Sequence, residues 1–344
     1  MAAILLQEDG WDVIGVTLRM HDPSIFGESA NEVPKQARVV ADQLGIKHYV
    51  IDCISDFQRL VLAPAWSDYT SCRTPSPCLR CNEGIKFGVL LNWALDNNCS
   101  ALATGHYVKL DCSQNEVALR RGEDKNKDQA YFLAGLSQAQ LSRIVFPLGD
   151  YNKSWVKEKA RATGLPCADS KESQDTCYIL PDLTFQETLQ KQFSPDNQSM
   201  PGYILDWKGK QLAKHSGIHN FTIGQRRGVG VGAGVKAWVC RIDADTGNVH
   251  LTNNEDDLLS SEFNVSDLSW TTISPPDTPL ECEVQVRHRS QPVKALLSDI
   301  LGGRGQVILQ QPVRAVTPGQ AAVFYLGDRV LGRGWIEGVS EFCN

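Results

Sequence analysis

The chain has 344 residues, 42% of them hydrophobic and 22% charged, and a net charge of −6 at pH 7. That is length for two or three domains with cores of their own, at ordinary globular composition. No global basic field points to nucleic acid, which leaves only a local basic face open to it, and no apolar run approaches the length of a membrane span.

The first element predicted is a helix. Ala2, Ala3, Leu5 and Leu6 are strong helix formers, and Gly10 sits where a C-terminal cap belongs. Val13, Ile14, Val16 and Leu18 then read as a buried strand. A helix feeding a parallel strand is normally half of a strand–helix–strand unit, and no N-cap, turn or strand precedes Met1. The stretch Met1–Leu6 is too short for a signal peptide and has no basic leader, so the cytoplasm is the expected location.

Helix and strand then alternate through the first 170 or so residues. A helix with Ala37, Val40, Ala41 and Leu44 on one face is closed by Gly45, and a strand follows over Ile46–Asp52. The next helix carries Phe57, Leu60 and Val61 and should not run smoothly past Pro64. Another is predicted from about Asn82 to Asn97, and a short strand over Ala101–Thr104 ends in Gly105. This alternation argues for a parallel sheet covered by helices, with ligands beyond the carboxyl ends of its strands. The texture changes after about Lys171. Short strands, the turn Trp207–Lys210 and a glycine-rich run, Gly224–Gly234, occupy residues 200–255. From about Phe263 alternating segments such as ECEVQVRHR and GQVILQ predict a small β-barrel or sandwich.

Eleven cysteines with no export signal argue against a disulfide framework, and most read as small buried hydrophobes. The informative pair is Cys78 and Cys81 in CRTPSPCLRCNEGIKF. Cys81 is expected at the start of the following helix, where the helix dipole favours thiolate. Redox pair, metal site, nucleophile and coincidence all remain open on composition, although no second C-x-x-C or His pair at zinc spacing is apparent. Cys177 ends the polar stretch ESQDTC. In LATGHY, Gly105 and His106 follow a strand, either as a ligand-approach turn or as a strand-ending turn with a surface histidine. Lys125, Lys127, Asp128 and Gln129 form either a solvated helix start capped by Asp128 or a recognition loop. The run Gly224–Gly234 lacks the frame and spacing of a dinucleotide fingerprint and reads as a loop flanked by Arg226 and Arg227. Arg287, His288 and Arg289 fall on a predicted strand, as an exposed face or as phosphate contacts.

Taken together, TPSPCLRCNEGIKF, ATGHY, NKDQAYFL, SQDTC, TIGQRRG and VTPGQAAVFY stand in the order and at roughly the spacing of the tRNA-specific 2-thiouridylase (MnmA/TrmU) family, and the resemblance covers nearly the whole chain. It implies an α/β fold: a Rossmann-like parallel-sheet, pyrophosphatase-loop nucleotide-binding domain over residues 1–172, a small central domain over 173–258 and a C-terminal β-barrel over 259–344. It also implies ATP-dependent replacement of the 2-oxygen of the wobble uridine by sulfur, with ATP (and Mg2+) as cofactor and with tRNA and a sulfur-donor protein, a cysteine desulfurase or sulfur relay, as partners. By the resemblance Cys177 carries the persulfide and Cys81 is the thiol that attacks it or releases sulfide from it, forming a disulfide that is later reduced. Leu18 and Gly105 match nucleotide contacts. Ser76, Pro77 and Cys78 match the stretch that meets the target base, Lys127, Asp128 and Gln129 a tRNA-contacting loop, Arg287 and His288 C-terminal tRNA contacts, and His106 and Gln320 further tRNA-recognition positions.

Two departures from the family pattern matter. Many members carry Asp at the place of Cys78; with Cys there, Cys78, Cys81 and Cys177 make a three-thiolate set that suits a 4Fe-4S cluster with one open iron. The family's phosphate-cradling S-G-G-V-D-S-S loop would fall immediately before Met1, so a misplaced start is expected. The rival is a tRNA-binding remnant without catalysis. The basic residues Lys153, Lys157, Arg161, Arg226, Arg227 and Arg287 are expected to share one face.

Overall fold

The computed structural model describes residues 1–113, 116–166, 177–194, 200–231 and 236–339. The chain forms two compact units: residues 1–61, 78–180 and 328–330, and residues 62–77, 181–327 and 331–344.

The first unit is built of parallel strand pairs and helices. The opening helix, Ala2–Glu8, ends as its composition dictates. Gly10 takes a left-handed conformation, and Trp11 N–H donates back to the Leu6 carbonyl at 2.9 Å. Strand β1 (Gly15–Arg19) pairs in parallel with β2 (His48–Asp52), from Gly15 opposite His48 to Arg19 opposite Asp52. The helix between them, Glu32–Leu44, stops at left-handed Gly45, where Ile46 N–H reaches the Ala41 carbonyl. A second parallel pair joins β3 (Leu102–Ala103) to β6 (Ile144–Val145). The predicted parallel sheet is therefore present as two separate two-stranded pieces among the described residues. Between β3 and β6 in sequence lies an antiparallel hairpin that the alternation did not announce, β4 (Val108–Asp111) and β5 (Ala118–Arg121). Arg120 on this hairpin pairs with Asp111 at 2.9 Å and Asp328 at 2.6 Å.

The helix that was not expected to run smoothly past Pro64 is irregular there: Ile54–Phe57 leads into a π-wound turn, Gln58–Leu62, and then into Ala63–Thr70 with proline in its first turn. A missing N–H is harmless in a first turn. The helix expected from Asn82 instead starts at Pro77 and runs through Pro77–Cys81, a π-wound Asn82–Val89 and Leu90–Asp96.

The second unit holds a four-stranded sheet and a barrel. The sheet runs in the order β8 (Gln211–His215), β7 (Gly202–Leu205), β10 (Val249–Thr252), β9 (Trp238–Ile242). The predicted turn at Trp207–Lys210 closes the antiparallel β7–β8 hairpin, and Ile204, Phe221, Val239 and Val249 form the core. The barrel strands are β11 (Leu259–Trp270), β12 (Leu280–Gln285), β13 (Val293–Leu301), β14 (Arg304–Arg314), β15 (Ala321–Leu326) and β16 (Arg329–Val339). Pairing of β11 with β16 closes the ring, which removes free edges. Alternate residues such as Ala295, Leu297, Val307, Leu309, Ala322 and Phe324 point inward.

Arg287, His288 and Arg289 are not on a strand. They form the turn after β12, where Arg289 is left-handed and Ser290 donates from both N–H and Oγ to the Arg287 carbonyl. Arg226 and Arg227 are exposed in the turn that Gln225 organises, while residues 232–235 of the glycine-rich run lie outside the described residues. Lys153, Lys157 and Arg161 lie at four-residue spacing on one helix, Lys153–Ala162.

Within this unit the loop before β15 holds the stretch that leads to the C-x-x-C. Gln320 Nε2 donates to the Thr74 and Pro75 carbonyls at 3.0 and 2.9 Å, and Thr74 N–H donates to the Pro318 carbonyl at 2.8 Å. Gly319 is left-handed, and a Cβ there would stand 2.8 Å from the Thr74 carbonyl oxygen. Gly319→Ala is therefore expected to cost about 1–3 kcal/mol of stability, read as a lowered thermal midpoint.

Candidate active site

The site is organised by the helix that begins at Pro77. Proline at the first position sets the entry angle. Cys78 falls in the first turn and is exposed, and Cys81 falls one turn later and is buried. From Asn82 the helix widens to π winding, a form concentrated at functional sites because it costs regular hydrogen bonding. Two side-chain hydrogen bonds hold this turn: Gln140 Nε2 donates to the Phe87 carbonyl at 2.7 Å, and the turn's own Asn82 Nδ2 donates to the Phe132 carbonyl at 3.0 Å. Ile85 and Phe87 are fully buried and flank half-buried Lys86.

Cys177 is exposed, and it reaches this helix from a sequence distance of nearly a hundred residues. The chain just beyond it is anchored by aromatic rings. Tyr178 is buried, stacks on His21 at 5.5 Å, and meets Phe26 and Phe57 at 4.7 and 5.6 Å. His21 Nε2 lies 3.0 Å from the Cys177 carbonyl.

Electrostatics corrects the expectation of a depressed thiol at Cys81. Burial pushes it up to about 12, because a low-dielectric surrounding penalises thiolate. The charge of Lys86 opposes this, while the neighbouring thiols Cys177, Cys78 and Cys53 reinforce it. Cys78 and Cys177 are also raised, first by burial of their surroundings; Cys177 as thiolate raises Cys78 further, and Lys86 lowers both. The helix N-terminus that was to stabilise Cys81 lies a turn away, at Cys78. The three thiols are thus close enough to influence one another, and all three are held protonated near neutrality.

The same unit holds other residues of interest. Leu18 is near the carboxyl end of β1 and Gly105 follows β3, the ends at which parallel sheets collect ligands. His106 is buried between the rings of Phe87 and Phe146, with Nδ1 2.7 Å from Thr104 Oγ1. Burial and the Lys86 charge push it down to about 3, so it is neutral at pH 7 and is no surface histidine. The N-cap of the 3-10 turn Ala130–Leu133 is Gln129 rather than Asp128, while the Asp128 carboxylate accepts from the Ala130 and Gly122 N–H groups and pairs with Arg121 at 3.1 Å. Gln129 Oε1 accepts from Tyr107 N–H, and Lys127 is partly exposed. In the second unit Ser76 is buried and Pro77 half-buried, Arg287 is exposed, His288 is half-buried, and Gln320 is engaged with the loop as described. Residues 173–176 of the SQDTC motif lie outside the described residues.

Among the described residues no three His, Cys, Asp or Glu side chains gather closely enough to hold a metal ion. Cys78, Cys81 and Cys177 therefore do not form a ready ligand set, the cluster alternative gains no support, and no step is derived through it. Sequence reading missed Lys86, His21 and Tyr178. Tyr178 adjoins Cys177 and was open to notice, whereas His21 and Lys86 acquire their meaning only from the fold.

The chain carries the domain set of a tRNA-modifying enzyme class: residues 1–181 match the tRNA methyl transferase HUP domain, 188–253 the tRNA methyl transferase PRC-barrel domain, and 260–336 the aminomethyltransferase β-barrel domain. It is 42% identical over 342 residues to the tRNA-specific 2-thiouridylase MnmA of Chloroflexus aurantiacus, covering 98% of this chain and 94% of the relative. The MnmA of Gloeothece citriformis is 39% identical, covering 98% and 95%, and that of Geobacter metallireducens 38%, covering 98% and 93%. The chain belongs to the tRNA-specific 2-thiouridylase family.

The His106 environment is directly testable. Its folded value is depressed, so its contribution to stability is complete above the ordinary value of 6.5 and is lost as pH falls toward about 3. Its ring signals in a proton NMR titration should stay those of a neutral imidazole from about pH 7 down to about pH 5, where a free histidine would have charged.

Proposed function

We propose that this chain is a tRNA uridine 2-sulfurtransferase that uses ATP to activate the 2-oxygen of the wobble uridine and a cysteine persulfide to replace it. The observation that carries the reading is the presence in one unit of an exposed Cys177 and a buried Cys81 whose ionisation the Cys177 charge opposes. An accessible thiol suits loading by a sulfur-donor protein, and a second thiol screened from water suits a step in which free sulfide must not escape. The family models are named for methyl transfer and the relatives for thiolation; paired thiols fit the latter.

The chemistry runs in three stages. The uridine C2 carbonyl is a poor electrophile, so adenylation converts its oxygen into a leaving group and releases pyrophosphate. The outer sulfur of the Cys177 persulfide then attacks C2 and displaces AMP. Attack of Cys81 Sγ on Cys177 Sγ breaks the sulfur–sulfur bond, and the outer sulfur departs with the electron pair as the thiocarbonyl. Cys81 and Cys177 are left as a disulfide, which an external dithiol reduces. If Cys81 instead attacks first, hydrosulfide is released and becomes the nucleophile. Leu18 and Gly105 are assigned to the nucleotide, at the carboxyl ends of their strands. Ser76, Pro77 and Cys78 are assigned to the target base. Lys127, Asp128, Gln129, His106, Arg287, His288 and Gln320 are assigned to tRNA; of these, exposed Arg287 and partly exposed Lys127 have the reach for phosphate. The three domains are assigned residues 1–172, 173–258 and 259–344, and the working location is the cytoplasm. No helix among the described residues is long and apolar enough to cross a membrane.

The test is ATP- and tRNA-dependent formation of 2-thiouridine. The SGGVDSS motif does not occur in the 344 residues, so the assay is run on this chain and on a version with that strand and loop placed ahead of Met1. Turnover is expected when the loop is supplied; its absence from both versions would leave a tRNA-binding remnant. In the active version Cys177→Ser and Cys81→Ser are each expected to lower thiolation by at least about a hundredfold while adenylation, read as tRNA-dependent pyrophosphate release, persists. Cys81→Ser should also accumulate persulfide on Cys177, and full activity in that variant would remove Cys81 from the relay.

A further inference from the structure

We propose that Lys86 is the fixed counter-charge of the sulfur-transfer site, carried onto the cysteine face of its helix by the π-wound turn Asn82–Val89. The inference rests on the sulfurtransferase reading and adds to it a residue that activates the two thiols.

The geometry is a matter of winding. Cys78 and Cys81 are three residues apart on α-helical turns and so share a face. In a continuous α-helix Lys86, five residues beyond Cys81, would project about 140° away from it, at roughly 100° per residue. Winding with i→i+5 closure, at about 4.4 residues per turn, leaves residues five apart only about 50° apart. The turn Asn82–Val89 has that winding, so Lys86 returns to the side occupied by Cys78 and Cys81. The winding is held in place. Phe87 and Ile85 are buried on either side of Lys86, and Gln140 donates to the Phe87 carbonyl. Gly88 packs so tightly that a Cβ there would lie 3.0 Å from the Glu83 carbonyl oxygen, five residues back along the same helix.

The charge of Lys86 acts on Cys78, Cys81, Cys177 and His106, and His106 is neutral. Among the described residues no carboxylate pairs with it. Its ammonium thus faces groups that are neutral at rest and become anionic during reaction. In the exchange step Cys81 gives up its proton to water and its Sγ attacks Cys177 Sγ; the Cys177 Sγ–Sδ bond breaks and Sδ leaves with the electron pair. The negative charge begins on Cys81 Sγ and ends on the departing sulfur, within the field of one ammonium throughout. Lys86 supplies charge and transfers no proton.

The experiment compares Lys86→Met and Lys86→Arg with the unaltered protein. Alkylation of Cys81 and Cys177 by iodoacetamide is followed at one fixed pH by mass spectrometry. Lys86→Met should slow both rates about tenfold, the effect of one unit in thiol acidity, and Lys86→Arg should stay within about threefold because the charge is kept. In the thiolation assay Lys86→Met should lower kcat with the KM for tRNA unchanged, and Lys86→Arg should restore most of it. Unchanged alkylation in Lys86→Met, or equal impairment by Met and Arg, overturns the proposal. The alkylation measurement needs neither ATP nor tRNA, so its failure sinks the role of Lys86 alone. Absence of 2-thiouridine with the unaltered, loop-bearing protein sinks the sulfurtransferase reading instead.

Discussion

Ionising a thiol away from water is the constraint on which this site turns. A persulfide relay needs thiolates, and it also needs a dry pocket so that sulfide is delivered rather than lost. These demands conflict, because the burial that excludes water pushes Cys81 up to about 12. The helix from Pro77 to Asp96 meets both in one element. Its first turn exposes Cys78, its second buries Cys81, and its π-wound middle carries Lys86, whose charge opposes the effect of burial on both thiols. The irregular turn is stabilised from outside by Gln140 and by buried Ile85 and Phe87, as expected where local hydrogen bonding is given up for function.

Within each unit support is of a different kind. In the first, rings hold position: His21, Phe26, Phe57 and Tyr178 fix the chain beside Cys177, and Phe87 and Phe146 enclose His106. In the second, backbone hydrogen bonding does so. Gln320 spends its amide on two carbonyls of the stretch preceding the C-x-x-C, and Gly319 lets that stretch approach. A residue placed by resemblance among tRNA contacts therefore also serves the shape of the loop. The same is true of Asp128, whose carboxylate is spent on Arg121 and on two backbone N–H groups.

The fold class was legible because its signals are periodic and local. Alternating segments near the C-terminus became barrel strands, and Gly45 and Gly10 ended helices where they stood in the sequence. Errors came where tertiary context overrides local preference. The start of the C-x-x-C helix was placed five residues late, since PSPC reads as loop until Pro77 is recognised as a first-turn proline. Pro64 was read as a place where the helix could not run smoothly, and a π turn just before it breaks the regular winding. Arg287, His288 and Arg289 sit at the end of an alternating run, and only the closure by Ser290 shows a turn. The acidity of Cys81 was inferred from a helix dipole, and burial, which sequence cannot report residue by residue, outweighs it. Lys86 was invisible for a similar reason: on an α-helical wheel it points away from the cysteines.

The hydrogen bond between His21 and the Cys177 carbonyl has a thermodynamic corollary. His21 follows β1, whose carboxyl end is the side where such sheets take ligands, while Cys177 is the accessible thiol. A ligand that favours a different placement of the His21 loop must also break that bond and the stacking on Tyr178. By reciprocity, a modification of Cys177 that displaces its backbone changes affinity at the end of β1 by the same factor. On the proposed reading, loading of Cys177 and occupancy at that end of the sheet would be linked through the one histidine that bonds the Cys177 carbonyl.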